Sequence, residues 1–279
     1  SNVGPVAGGW CGGIVLIASG ARIESNLVIS NVAALEGTGN GGGIGIAFGD
    51  EATVISNTIR GNVGSLGSTS YGCGGGLNLY YGGGRLVENL IEHNVGNTEN
   101  NGCGGGANAY GGSVTLIRNV IRENIANTKD YGAGGGLYLE ANANLQENQI
   151  LSNTASTSSG WAGGVYVHRI PGPDEPTVRV TMTQNAVDGN FAPQGGGGVR
   201  ILNAAAVLTG NVISTNRAGD AGGGVDIVSA TVALSGNQIV SNVAETWSGG
   251  GLLVHQNATV TIADNLIAHN RTAHLGGGV

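Results

Sequence analysis

The composition of this 279-residue chain is rich in glycine and poor in charge. It contains 55 glycines, and only 10% of its residues are charged, against about 25% in ordinary globular domains. The net charge of −7 and the single lysine, Lys129, argue against a nucleic-acid groove, which needs clustered basic side chains. No apolar run approaches the roughly 18 residues of a membrane-spanning helix, so no membrane span is predicted.

From the start of the chain, one pair of signals recurs nine times. A glycine block is followed by an apolar-x-apolar triplet, and then by the motif Asn-x-[Val/Ile]-x-x-Asn. Successive triplets lie 26 to 34 residues apart, which predicts a single repeat domain over residues 1–279. The triplets begin at Ile14, Ile44, Leu77, Ala107, Leu137, Val165, Val199, Val225 and Leu252. The paired asparagines are Asn26 and Asn31, Asn57 and Asn62, Asn89 and Asn94, Asn119 and Asn124, Asn148 and Asn153, Asn185 and Asn190, Asn211 and Asn216, Asn237 and Asn242, and Asn265 and Asn270.

The apolar residues inside each repeat alternate with a period of two, which is typical of strands and not of helices. Further apolar residues lie three positions before and two positions after each first asparagine. Each unit therefore predicts three short strands with inward anchors that it cannot bury alone. Stacking the units at roughly 4.8 Å per rung buries one apolar column. The prediction is a parallel β-helix of about nine rungs, right-handed because parallel crossovers nearly always are.

The asparagines and glycines are predicted to form the corners of each rung. Asparagine tolerates the left-handed conformation of a sharp bend, and identical amides in successive rungs can form a buried hydrogen-bond ladder. Glycine suits the other corner, where a Cβ would clash. The alternative is an exposed amide track that binds ice or sugar, and it requires these side chains to face solvent.

Segments such as GGGLYLEANANLQENQILSNTA resemble the parallel β-helix repeats of the pectate-lyase-like superfamily, especially those of bacterial surface and secreted proteins. There is a looser similarity to polymorphic outer-membrane proteins, whose rungs carry Gly-Gly-Ala-[Ile/Leu/Val] and Phe-x-x-Asn. In this chain the third position is glycine, and valine or isoleucine replaces the phenylalanine. The resemblance implies a solenoid, a fold that hosts lyases, hydrolases, adhesins and inert fibres alike.

Two of the three cysteines occupy equivalent positions. Cys73 and Cys103 each lie four residues before a triplet, which places them at the same corner of consecutive rungs and within disulfide range. A bridge implies an oxidising, extracytoplasmic compartment, whereas the alternative is a pair of reduced thiols packed in the corner. Cys11 has no equivalent cysteine in the next rung, and its redox state stays open.

The outward positions on and just after the triplets contain one region that mixes acids, bases and a cation. Arg200 and Asp226 are predicted to form a surface salt bridge between neighbouring strands, and Glu140 and His168 a solvated pair. The adjacent aspartates that lyase and polygalacturonase mechanisms require are missing, and no metal or cofactor site is predicted. If the chain is an enzyme, Glu140 or Asp226 would be the acid, His168 the base and Arg200 the charge stabiliser. The region consists of Glu140, His168, Arg200, Asp226 and His255.

Four tyrosines are predicted to form an exposed aromatic strip across four rungs, with Tyr80 beside Tyr110 and Tyr138 beside Tyr166. Exposed rings favour sugars or partner side chains, although the strip could instead be a ladder stabilised by its own stacking. The insertion IPGPDEPT, residues 170–177, is predicted to project beside it and is stiffened by prolines. Its prolines are Pro171, Pro173 and Pro176.

The first hypothesis is a non-catalytic extracellular structural or adhesive β-helix of a bacterial surface or filament protein, with polysaccharides or other surface proteins as partners. The alternative is a polysaccharide lyase or glycoside hydrolase that acts on the strand face. The chain begins after the second asparagine of a repeat and ends at the first residue of a tenth triplet, Val279. We therefore expect either a segment of a longer array or end-to-end association.

Overall fold

The computed structural model describes residues 1–49, 52–68, 71–169 and 178–279, and in these ranges the chain forms 39 short strands. All of the pairings between these strands are parallel, which confirms the predicted all-β solenoid. The described part of the chain contains no helix that could span a membrane.

The triplets form the first ladder of strands. Leu77 pairs with Ala107 and Ala107 with Leu137, as the repeat spacing predicts. Nine strands join in this ladder, so the described chain makes about eight full turns. The handedness of the coil stays a prediction. The strands are β2 (Ile14–Ile17), β7 (Ile44–Ala47), β12 (Leu77–Tyr80), β17 (Ala107–Ile117), β21 (Leu137–Gln146), β24 (Val165–His168), β28 (Val199–Leu202), β32 (Val225–Val228) and β36 (Leu252–His255).

The second and third ladders lie before and after each first asparagine. The second shares β17 and β21 with the first, and its other strands are β3 (Arg22–Glu24), β8 (Ala52–Ile55), β13 (Gly84–Val87), β25 (Arg179–Thr183), β29 (Ala205–Thr209), β33 (Thr231–Ser235) and β37 (Thr259–Ala263). The third consists of β4 (Leu27–Ile29), β9 (Thr58–Arg60), β14 (Leu90–Glu92), β18 (Val120–Arg122), β22 (Gln149–Leu151), β26 (Ala186–Asp188), β30 (Val212–Ser214), β34 (Gln238–Val240) and β38 (Leu266–Ala268).

Most turns contain four or five strands and not the three predicted, because the path from the second asparagine to the next glycine block also pairs between turns. The fourth ladder follows the second asparagine and has two parts: β5 (Val32–Ala34), β10 (Val63–Ser65), β15 (Val95–Asn97) and β19 (Ile125–Asn127), then β27 (Phe191–Ala192), β31 (Arg217–Ala218), β35 (Val243–Ala244) and β39 (Arg271–Thr272). The fifth ladder precedes the glycine blocks and consists of β1 (Ala7–Gly9), β6 (Glu36–Asn40), β11 (Gly72–Cys73), β16 (Gly102–Cys103), β20 (Tyr131–Ala133) and β23 (Ser159–Trp161).

The apolar column lies between the first three ladders. Most of its side chains come from the first and third triplet residues and from the anchors that flank each first asparagine, and others come from the segment between the triplet and the first anchor, such as Val114 and Val180. Leu137, Leu145 and Ile150, which belong to a single turn, are fully buried. Each such side chain contributes roughly 1.5–3 kcal/mol by leaving water.

Both asparagine ladders form inside the coil, as predicted. The backbone N–H and the Nδ2 of Asn94 both donate to Oδ1 of Asn124, each at 3.0 Å. A second hydrogen on the same Nδ2 is donated to the carbonyl of Ile59, at 2.9 Å. From Asn31 to Asn242 the motif asparagines are at most 4% exposed, so the exposed amide track is wrong.

The predicted reason for asparagine at the corners is wrong in one respect. The left-handed residue is the one before each asparagine, such as Glu123 with φ 54° or Ser152 with φ 52°. The motif asparagine that follows does not have a positive φ. Its side chain points inward and contacts the equivalent asparagine of the neighbouring rung. The solvent-facing residue before it makes the bend.

Candidate functional site

The glycine corner covers the outer face of the triplets, which corrects the prediction that this face is open. A Cβ added at Gly196 would lie 2.7 Å from the Cβ of Arg200, and one at Gly222 would lie 2.6 Å from the Cβ of Asp226. The middle triplet residues beneath are therefore enclosed although they point away from the apolar column. The buried ones include Asn78, Asn108, Tyr166, Arg200 and Asp226.

Arg200 and Asp226 are paired, but inside the protein and not on its surface. Their strands lie in register, and Nη1 of Arg200 donates to Oδ2 of Asp226. The two side chains are 9% and 1% exposed. Nε2 of His255 lies 2.9 Å from the other carboxylate oxygen, and the Arg200 guanidinium lies 3.6 Å from the ring centre of Trp161. Asp226 therefore has both oxygens engaged, which leaves it poorly placed as a general acid.

Glu140 and His168 are held around a tyrosine and are largely buried. The Tyr138 hydroxyl lies 3.1 Å from Nδ1 of His168 and 3.4 Å from Oε2 of Glu140. The carboxylate itself is 3.9 Å from the imidazole, and the side chains of His168 and Glu140 are 20% and 10% exposed. Burial, and then the charge of Arg200, lowers the pKa of His168, so this imidazole is neutral at pH 7.

The two carboxylates proposed as acids are far apart. Glu140 lies on β21 and Asp226 on β32, with β24 and β28 between them in the ladder. Three strand spacings amount to roughly 14 Å, whereas the carboxyl pairs of glycosidases lie about 5–9.5 Å apart. Within the described ranges, no group of three or more His, Cys, Asp or Glu side chains is placed to hold a metal ion.

The predicted tyrosine strip separates into two clusters. Tyr80 and Tyr110 stack with their ring centres 5.4 Å apart, as expected. Both are half-buried, and they belong to a cluster with the exposed residues Trp10, Phe48 and Tyr81, which we call the aromatic patch. The Tyr81 ring lies parallel to Phe48 at 6.3 Å and edge-on to Tyr80 at 4.8 Å. Trp10, Phe48 and Tyr81 are 46%, 56% and 50% exposed.

Sequence reasoning did not find Trp10, Phe48 and Tyr81, although one signal was available. Phe48 and Tyr81 occupy equivalent places, immediately after the strands β7 and β12. Both have left-handed backbones, with φ 53° and 48°. Other turns place Ala18, Asn203 or Ser229 at this left-handed corner.

The second cluster surrounds Tyr138 and Tyr166. Their rings meet edge-to-face at 5.3 Å, but Tyr166 is only 4% exposed, so the expectation of a fully exposed strip is wrong there. Both rings line a cavity of about 160 Å³ beside the fifth ladder. Burial raises the pKa of Tyr138 and of Tyr166, which keeps both phenols protonated. The proline-containing insertion, residues 170–177, lies outside the described residues.

Cys73 and Cys103 are joined by a disulfide in the middle of the fifth ladder. The two residues pair in register on β11 and β16, with Cα atoms 4.6 Å apart. Cys11 is a free, half-buried thiol whose Sγ donates to the carbonyl of Ile14 at 2.9 Å. Burial raises its pKa.

No protein-family model matches this sequence, and no curated protein matches it. Among solved structures, the chain is similar to the crystal structure of the TibC-catalysed hyper-glycosylated TibA55-350 fragment, with 15% sequence identity. That similarity covers 94% of this chain and 99% of the other, but its TM-score is 0.16. A similarity this low carries no argument about function, and membership of the pectate-lyase-like superfamily is not confirmed.

Proposed function

We propose that this chain is a non-catalytic, extracellular β-solenoid of a bacterial surface or filament protein that binds carbohydrate on the aromatic patch. One observation carries the proposal. Although aromatic residues make up only 4% of the sequence, five of them from successive turns meet in one cluster, and three of the five are about half exposed. Exposed aromatic rings stack against the apolar faces of sugars.

The exposure and fixed geometry of the patch rings support a binding role. Phe48 and Tyr81 occupy a left-handed corner that recurs in other turns, where Ala18, Asn203 or Ser229 takes the same place, so the corner itself does not require an aromatic residue. The two rings are still about half exposed. They are held at the ends of β7 and β12, which lowers the entropy cost of binding a ligand.

The enzymatic alternative has weaker support. The separation of Glu140 from Asp226 exceeds the range of a glycosidase pair, and Arg200 neutralises Asp226 inside the protein. The disulfide between Cys73 and Cys103 supports an extracytoplasmic location, because such bonds persist in oxidising compartments. Polysaccharides are the proposed partners, and other surface proteins are the second class.

Affinity gel electrophoresis tests this proposal with neutral polysaccharides (mannan, dextran and hydroxyethyl cellulose) and acidic ones (alginate and polygalacturonate) in the gel. We expect retardation by at least one of them. Replacing Trp10, Phe48 or Tyr81 by alanine should weaken the retardation about 2- to 12-fold each, from roughly 0.5–1.5 kcal/mol per ring contact. Trp247→Ala is the control, because Trp247 is equally exposed, at 55%, but lies outside the patch.

Three results would contradict the proposal. The first is that no polysaccharide retards the protein. The second is retardation that none of the three patch variants changes. The third is release of sugar products that is lost on Asp226→Ala or Glu140→Gln, which would favour the enzymatic alternative. Thermal melts of each variant separate lost binding from lost folding.

A further inference from the structure

The cavity beside the fifth ladder is built mainly from aromatic side chains. Tyr138 and Tyr166 project into it from the outer face of the first ladder, and His168 from the end of β24. Tyr131 and Tyr71 close it from the side of the fifth ladder. At about 160 Å³ it is smaller than the roughly 300–1,000 Å³ of sites for drug-sized ligands, so it suits a single small ring.

The rings of the cavity have a fixed arrangement. Tyr166 and His168 stack with their planes 6° apart and their centres at 5.4 Å. Tyr138 stands at 68° to Tyr166 and 74° to His168, so it forms a wall nearly perpendicular to both. Its hydroxyl is held by His168 at 3.1 Å, and the fifth-ladder wall contains Cys103 of the disulfide. A site preorganised in this way loses little entropy on binding.

The lining is polar but carries no charge. Among the described residues, no Asp, Glu, Lys or Arg lines the cavity. Burial raises the pKa of Tyr131 and lowers that of His168, so the phenol and the imidazole are neutral at pH 7. The nearby Arg200 is compensated by Asp226. An anionic ligand would meet no cation among the described residues of the lining, and a purely aliphatic ligand would form no hydrogen bonds with its phenol, amide and imidazole groups.

We infer that this tyrosine-lined cavity is a binding site for a single neutral sugar residue. A pyranose ring offers an apolar face to the aromatic walls and hydroxyls to Tyr138, Tyr166 and His168. This site is separate from the aromatic patch and does not depend on the carbohydrate proposal made for that patch.

Saturation-transfer NMR and calorimetry on the intact chain test the inference with glucose, galactose, mannose and N-acetylglucosamine as probes. We expect at least one of them to bind at millimolar concentration, and glucuronic acid to bind more weakly. Tyr138→Phe keeps the ring and removes a hydroxyl, so it should weaken binding about 2- to 10-fold. Tyr71→Ala removes a ring at the mouth of the cavity. Because Tyr71 is 60% exposed, this substitution should not prevent folding.

Several outcomes would overturn the inference. The first is that none of the four sugars binds at tens of millimolar. The second is that p-cresol binds more tightly than any sugar, which would indicate an aromatic ligand. The third is sugar binding that survives both Tyr138→Phe and Tyr71→Ala. Sugar binding lost on Trp10→Ala but retained by both cavity variants would assign the sugar to the aromatic patch. Trp247→Ala serves as the unaffected control.

Discussion

At the scale of single residues, each motif asparagine closes hydrogen bonds that the coil cannot close with its backbone alone. Asn124 shows the full set. Its Oδ1 accepts the backbone N–H and the side-chain Nδ2 of Asn94, both at 3.0 Å. Its Nδ2 donates to Oδ1 of Asn153 at 3.0 Å and to the carbonyl of Ile91 at 2.9 Å. The polar groups buried at this bend therefore have hydrogen-bond partners, which explains why the same amide recurs in every turn.

Asn124→Ala should destabilise the protein substantially, because the buried backbone N–H of Asn94 loses its acceptor and a side-chain donor to Asn153 and Ile91 is removed. Each group left unpaired costs about 1–3 kcal/mol, so we expect a clear fall in the urea midpoint. Asn144→Ala is the matched control, since Asn144 is an exposed asparagine on β21 of the next turn. Equal midpoints for the two variants would mean that the buried ladder adds no stability.

At the scale of secondary-structure elements, the glycine blocks are required for close packing more than for backbone freedom. Only the first glycine of the block Gly104 to Gly106 has a left-handed backbone, with φ 54°. At Gly106, a Cβ would lie 2.6 Å from the carbonyl oxygen of Gly136 and 3.0 Å from Nδ2 of Asn124. The block thus lies directly against its neighbour in the next turn and against the second asparagine ladder.

Gly106→Ala should therefore lower stability more than Gly236→Ala, as measured by urea denaturation of both variants. The added Cβ at Gly106 meets backbone that cannot move without disturbing the next turn. Gly236 has a left-handed backbone, φ 63°, but nothing within 4 Å of an added Cβ. Its substitution should cost only the roughly 1–2 kcal/mol of the left-handed conformation. The reverse order would show that backbone freedom is the dominant reason for glycine.

At the scale of the whole molecule, one covalent link adds to a column that is otherwise held by contacts between neighbouring turns. The disulfide joins positions 30 residues apart and so connects two successive turns. A loop of that length should contribute about 3–4 kcal/mol by restricting the unfolded chain. The same link lies in the wall of the tyrosine-lined cavity, because Cys103 is part of its lining.

Reduction of the disulfide should lower the midpoint of unfolding, and the double substitution Cys73→Ala with Cys103→Ala should do the same. The loss of stability should be about 3–4 kcal/mol. Cys11→Ala is the control and should leave the effect of reductant unchanged. Mass spectrometry of unreduced peptides checks the pairing directly. Two free thiols at these positions, or equal midpoints with and without reductant, would contradict the disulfide and remove the support for an oxidising compartment.

The repeat spacing was enough to predict that the turns stack, the register of the triplet and anchor strands, and most residues of the apolar column. The register between neighbouring turns is set by the number of residues that separate equivalent positions in the sequence. A shift of one residue would turn every side chain of a strand to the opposite face of the sheet. The pairing of Leu77 with Ala107 and of Cys73 with Cys103 follows directly from that spacing. The asparagine ladders follow for the same reason, since identical residues at identical positions must stack.

Tertiary structure alone decided which outward positions are exposed. Arg200 and Asp226 alternate correctly away from the core, yet they are buried because the glycine corner folds over them. Tyr166 is buried in the same way against Ala133 and Ala162. The path between the second asparagine and the next glycine block varies in length from turn to turn, so its position carries no period that could be read in advance. The meeting of Trp10 with Phe48 and the other rings of the aromatic patch depends on the same path, since Trp10 belongs to that variable segment.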